Sequence, residues 1–108
     1  MKLPKLLEWK KDKWNSKHGD VLPYDKVEHF IRDGIITLIG LFVFEELRYA
    51  VIVSIGFNIL YEVYNGYVPY DGEHIQGFSI KDFLAGITGT ILTLALYTTY
   101  LNIVSEFN

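Results

Sequence analysis

The chain has 108 residues, one domain's worth, of which half are hydrophobic; it carries a net charge of −3 and contains no cysteine. The missing cysteine excludes disulfides, thiolate metal sites and a lipoprotein cysteine anchor. Charge is unevenly spread: residues 1–26 carry +3 and the remaining 82 carry −6. That asymmetry directs a basic amino-terminal arm toward an anionic surface. A lipid membrane is the expected surface, and nucleic acid is not an expected partner, because no zinc-finger spacing and no basic-aromatic RNA motif is present.

Residues 1–20 form the basic arm. On a helix, Leu3, Leu6, Leu7 and Trp14 share one side, while Lys10, Lys11 and Lys13 fan round the rest. Pro4 suits a first turn. The run is too short and too charged to span a bilayer, and the expectation is an amphipathic helix lying in the interface. Lys5, Lys10, Lys11, Lys13, Trp9 and Trp14 would then be its membrane-surface residues. The alternative is a surface helix packed on a core. Charges interleaved with the leucines argue against a cleavable signal peptide. Asn15 to Asp20 reads as a loop.

A first long helix is expected over 23–46. Pro23 suits its first turn, and Asp25 and Glu28 suit the positive end of its dipole. Ile35 to Phe44 is apolar apart from Thr37 and Gly40. Counted from Val27, with Arg32 and Asp33 near the surface, the segment is long enough to span. Glu45 to Arg48 breaks the apolar character and reads as a tight turn. A second helix follows over 48–65; Asn58 within it needs a partner and should face another helix. Residues 65–79 read as a loop. The third helix, over 80–104, holds the longest uncharged run, Phe83 to Val104. Ala85, Gly89 and Thr93 give it a small-residue stripe for close helix approach, and Tyr97 and Tyr100 fit an aromatic belt.

The expected fold is therefore all-α: a single membrane domain over 1–108, with three transmembrane helices and an amino-terminal amphipathic helix. Lysine bias places the amino terminus in the cytoplasm of a cell-membrane protein. Three spans also put the start of helix one, the end of helix two and the start of helix three on one side. Asp25, Glu28, His29, Glu62, Asp71, Glu73, His74 and Asp82 then share a face.

Several of these have ordinary structural roles open to them. Ser79-Ile80-Lys81-Asp82 fits a capping box, with Asp82 reaching back to the cap. Asp25 suits the first turn of a helix. Tyr61, Tyr64, Tyr67 and Tyr70 recur at three-residue spacing and suggest interface packing. Asp71-Gly72-Glu73-His74 has ligand-type residues without a recognised metal spacing. Glu62 is different: an ionisable group between apolar turns should face the bundle and find a partner. His29 has Asp25 and Asp33 four residues away on either side, which would orient its ring and favour the imidazolium. The candidate polar cluster is Asp25, His29, Asp33, Glu62 and Asp82. Asp25, His29, Glu62 and Asp82 could bind a divalent cation through oxygen and one imidazole, or form a hydrogen-bonded network. No Walker loop, G-x-S-x-G or H-E-x-x-H is present.

Three segments in order, Asp25-Lys26-Val27-Glu28-His29-Phe30, then Gly56 to Asn65 around Glu62, then Gly77-Phe78-Ser79-Ile80-Lys81-Asp82 with Ala85 and Gly89, resemble the VanZ-like and YfiM-like families of small bacterial and phage membrane proteins. The resemblance covers about residues 23–92. Asn65 stands where those families commonly have an acid, and Gly86 where Asn or Asp often follows the alanine. The resemblance implies little about activity: VanZ-like proteins are linked to low-level teicoplanin resistance, and much of the group has no assigned activity. Two functional readings follow. One is a non-enzymatic membrane protein, with homo-oligomerisation left open. The other is a metal-dependent module that binds or hydrolyses a lipid-linked phosphate head group.

Overall fold

The computed structural model describes residues 3–17, 19–69 and 75–107. Among them it is all-helical, with no strand: α1 is Asp25–Phe44, α2 is Leu47–Tyr67 and α3 is Ile80–Phe107. All three expected helices form, with ends shifted by up to three residues. The body is elongated, 57 × 31 × 22 Å, and α1 packs along both other helices. α2 and α3 are long and apolar enough to cross a membrane; α1, with its charged first half, does not meet that measure.

The Glu45–Arg48 turn is as tight as expected. Glu45 takes the left-handed conformation, φ 57°, and its N–H returns to the carbonyl of Leu41 at 3.0 Å, closing α1. Glu46 is extended and caps α2.

The interior of the bundle is a column of polar and small side chains. α1 buries Asp25, His29, Asp33, Thr37 and Leu41; α2 buries Ala50, Ser54, Asn58, Glu62 and Gly66; α3 buries Asp82, Gly86 and Thr90. Each series steps by four residues, so each lies on one helix face. Leu41 and Ala50 are the buried hydrophobics among the described residues. Apolar side chains point outward instead: Phe42 is 74% exposed and Leu60 71%. Hydrogen bonds between the helices hold part of this interior, although Asp33 Oδ2 and Asn58 Oδ1 have no hydrogen-bond partner among the described residues. Thr37 donates to the Asp33 carbonyl at 2.7 Å, and its oxygen lies 3.1 Å from Thr90, which meets Ser54 at 2.8 Å. One hydroxyl from each helix thus meets at a single junction. Asn58 faces α3, as expected, and its amide donates to the Phe83 carbonyl at 3.0 Å.

Close approach of α3 to α1 centres on Gly89, where a Cβ would overlap the Phe30 carbonyl. The small-residue stripe is thus real at Gly89. The fully buried set continues through Gly86 and Thr90, with Ala85 and Thr93 half-buried on its flank.

The amino-terminal arm is not a helix. Its residues form turns and irregular chain, with a single parallel bridge between Leu6 and Phe78. The reason lies in where its backbone groups go. Lys5 donates to the Gly66 carbonyl at 2.9 Å, Leu7 to the Phe78 carbonyl at 2.9 Å, and Phe78 donates back to Lys5 at 2.7 Å. A helix would need those groups for its own i→i−4 ladder. Gly77, at φ 104°, makes room: a Cβ there would stand 3.0 Å from the Leu7 nitrogen, and an L side chain is disfavoured at that φ. The arm is a strap across the ends of α2 and α3.

Candidate functional site

The strap, the start of α1, the end of α2 and the start of α3 meet at one end of the bundle. Ser79 caps α3, donating nothing to its own box partner: its Oγ accepts from the Asp82 N–H at 3.0 Å. In a capping box the acidic residue would reach back to the Ser79 N–H. Here Glu62 of α2 takes that N–H at 2.9 Å instead. The expected self-contained box is therefore corrected. Because Glu62 satisfies the cap from another helix, Asp82 is released to face α1.

Asp82 meets two groups there. Its Oδ2 lies 3.3 Å from His29 Nε2, and its Oδ1 lies 3.0 Å from Lys26 Nζ. The second nitrogen of His29, Nδ1, faces Glu62 Oε2 at 3.7 Å, beyond hydrogen-bond range. His29, Glu62 and Asp82 are therefore neighbours, and all three are buried. Tyr61 walls the group. Its ring meets His29 edge-on at 5.5 Å, Arg32 lies 4.4 Å over it, and its hydroxyl donates to Asp20 at 2.7 Å. Tyr61 is thus part of the site wall, which its three-residue spacing did not suggest.

His29 makes its ion pairs with Glu62 and Asp82 and with neither Asp25 nor Asp33, the carboxylates four residues away. Asp33 pairs with Arg32 Nε at 3.0 Å. Asp25 accepts from Ser16 at 2.6 Å and from Lys26 at 2.9 Å. Residues four apart share a face, but each carboxylate is drawn to a nearer cation or donor. The four-residue metal set of Asp25, His29, Glu62 and Asp82 accordingly divides in two: His29, Glu62 and Asp82 in one group, Asp12, Asp25 and Asp82 in the other, each with donor atoms within 4.8 Å of one another.

Asp12 and Lys26 were not among the sequence candidates. Asp12, on the strap, is buried; it takes Lys26 on one oxygen and the Ser79 hydroxyl on the other. Lys26 Nζ sits among Asp12, Asp25 and Asp82, with Ser16 Oγ at 3.1 Å. Lys81 is also buried, donating to the carbonyls of Trp9 and Asp12. Lys26, lying next to Asp25, was the available signal; the pairing of Asp12 has no local one.

The membrane-surface candidates divide likewise. Lys10, Lys11 and Lys13 are exposed. Lys5 donates to the Ile75 carbonyl at 2.9 Å. Trp9 and Trp14 stand edge-to-face at 6.1 Å and hold the Lys81 ammonium over their rings at 4.5 and 5.5 Å. The Glu28 carboxylate accepts from the N–H groups of Asp20, Val21 and Leu22, fixing the loop before α1. Tyr70 and the Asp71-Gly72-Glu73-His74 stretch lie outside the described residues.

A cavity of about 210 Å³ opens beside this cluster, with His29, Asp82, Tyr61, Tyr64, Asn65 and Gln76 in its lining. No family model, curated protein or solved structure matches the chain.

Proposed function

We propose that this is a small integral membrane protein, of VanZ-like type, whose three helices carry a polar Asp/His/Glu site at one membrane border. The observation that carries the reading is the inverted distribution of side chains: polar residues inside, large apolar residues outside along all three helices. Leaving an apolar side chain in water instead of burying it forfeits roughly 1.5–3 kcal/mol. Over a surface of this kind the sum exceeds the 5–15 kcal/mol by which domains are stable. Lipid removes that cost and favours the small-residue, hydroxyl-bonded contacts of the interior. The order D-K-x-x-H-F, then Glu62, then G-F-S-x-x-D supports the VanZ-like assignment. In this reading α1 is the third span, with its polar turns shielded by the strap, and the amino terminus is cytoplasmic. Exposed Lys10, Lys11 and Lys13 face anionic head groups. At that border the protein is non-enzymatic or of unassigned activity.

The test is extraction from membranes. The full chain is expected to stay in the pellet through alkaline carbonate and high salt, and to leave only with detergent. Release by carbonate would defeat the integral reading and favour a peripheral bundle.

A second reading, binding or hydrolysis of a lipid-linked phosphate, is favoured by the cavity beside His29 and Asp82. Its acidic lining would require a cation between protein and phosphate. A polyprenyl phosphate titrated into the detergent-solubilised chain with Mn²⁺ should then perturb tyrosine fluorescence; an unchanged signal would remove this reading.

A further inference from the structure

Two carboxylate groups share Asp82, and they differ in what fills them. The Asp12, Asp25 and Asp82 group surrounds the Lys26 ammonium, at 2.9 Å from Asp25 and 3.0 Å from Asp82. The chain supplies its own cation there. The His29, Glu62 and Asp82 group has none. His29 Nδ1 and Glu62 Oε2 are buried and have no hydrogen-bond partner among the described residues, although each residue's remaining polar atom is engaged. His29 is 3% exposed and Glu62 0%. Two unpartnered atoms therefore face each other at 3.7 Å, too far to bond directly.

Charge points the same way. With Asp33 paired to Arg32, the buried cluster among the described residues holds the carboxylates of Asp12, Asp25, Glu62 and Asp82 against the ammonium groups of Lys26 and Lys81. When all four carboxylates are ionised, two negative charges are left without a counter-charge, and a bound dication would favour that state.

We propose that His29, Glu62 and Asp82 bind one divalent cation of the first transition row. One imidazole with two carboxylates suits Mn²⁺, Fe²⁺ or Zn²⁺ better than Mg²⁺ or Ca²⁺, which prefer all-oxygen sites. With all four carboxylates ionised, the two surplus negative charges match one dication. Three protein ligands leave a coordination position free, and the cavity beside Tyr61, Tyr64 and Gln76 gives it a route to water or to a phosphate oxygen. The Lys26 group is already filled and takes no ion. This inference is independent of the membrane reading, since the ligand geometry is the same whatever surrounds the bundle.

The test uses the tag-free full chain in detergent, stripped with chelator. Mn²⁺ alone is titrated and followed by electron paramagnetic resonance, with Zn²⁺ as competitor. One ion per chain is expected, displaced by Zn²⁺ and not by an equal concentration of Mg²⁺. Glu62→Gln, which preserves shape, should weaken binding at least about tenfold, whereas Glu46→Gln at the opposite turn should leave it unchanged. A second measurement needs no site variant. The chain has three histidines, and with His18→Gln and His74→Gln only His29 is left. Bound Mn²⁺ in that protein should show the electron-spin-echo modulation of a coordinated imidazole nitrogen. Absence of saturable binding, equal affinity of the Glu62→Gln protein, or absence of the nitrogen modulation would overturn the site.

Discussion

The two ends of the buried column are built on different physics. At the strap end, α1, α2 and α3 are joined by charge: Lys26 among three carboxylates, His29 between Glu62 and Asp82, and Glu62 on the Ser79 cap. Toward the Glu45 turn they are joined by close contact and neutral hydrogen bonds, with Gly40 against Ala50 and a hydroxyl junction at Thr37, Ser54 and Thr90. The contact end requires little beyond small side chains and is suited to lipid. The charged end carries the cost of desolvating many ionisable groups. The fold bears that cost at one end only, next to a cavity, which is where a ligand could use it.

Five substitutions would break or sharpen this contrast, each read by thermal unfolding in detergent micelles. The largest loss is expected at Lys26→Met, which leaves Asp12, Asp25 and Asp82 buried together without their cation. Breaking a buried pair costs roughly 3–5 kcal/mol, and here three anions are stranded at once. The same change should release the strap, so proteolysis within residues 3–17 should accelerate. A variant as stable and as protease-resistant as the parent would show that Lys26 does not hold the charged end.

Next come Glu62→Ala and His29→Ala. Glu62→Ala leaves the Ser79 N–H unpaired and His29 Nδ1 facing a void; each single loss should fall near the lower part of that same range, roughly 3 kcal/mol. The double variant should cost well below the sum, because the two share one network. Strict additivity would show that the two side chains do not interact.

The smaller effects belong to the contact region. Gly89→Leu must displace the Phe30 backbone and should cost at least about 1–3 kcal/mol. Gly56 is the matched control: a Cβ there meets nothing within 4 Å. Gly56→Ala should be neutral or gain up to about 1 kcal/mol from helix propensity. If Gly89→Leu were as mild as Gly56→Ala, the close approach of α1 and α3 would be wrong.

The buried column was written in the sequence in a form that ordinary periodicity does not pick out. Asp25, His29, Asp33 and Thr37 on α1, and Ala50, Ser54, Asn58 and Glu62 on α2, recur every four residues. The usual search follows apolar residues toward a core. In this bundle the polar set is the inward face, so the same spacing has to be followed with the opposite sign.

By itself, the sequence determined what is local and periodic. Three long runs, the first with a charged first half, made three helices; Glu45 to Arg48 made a turn; the alternating direction of successive helices brought His29, Glu62 and Asp82 to one end. Asn58 had to face a helix because an amide among apolar turns needs a partner. Tertiary structure decided the rest. Only the folded chain sets Asp12 against Ser79, 67 residues away, and Lys81 against the Asp12 carbonyl, 69 away. Only it lets Glu62 complete the Ser79 cap, which frees Asp82 for His29, and only it draws Asp25 to Lys26 and Asp33 to Arg32. The strap's leucines and lysines suited a helix, yet its backbone found better partners at Gly66 and Phe78. Local patterning fixes which face a residue occupies; competition among distant donors and charges fixes which neighbour on that face it bonds.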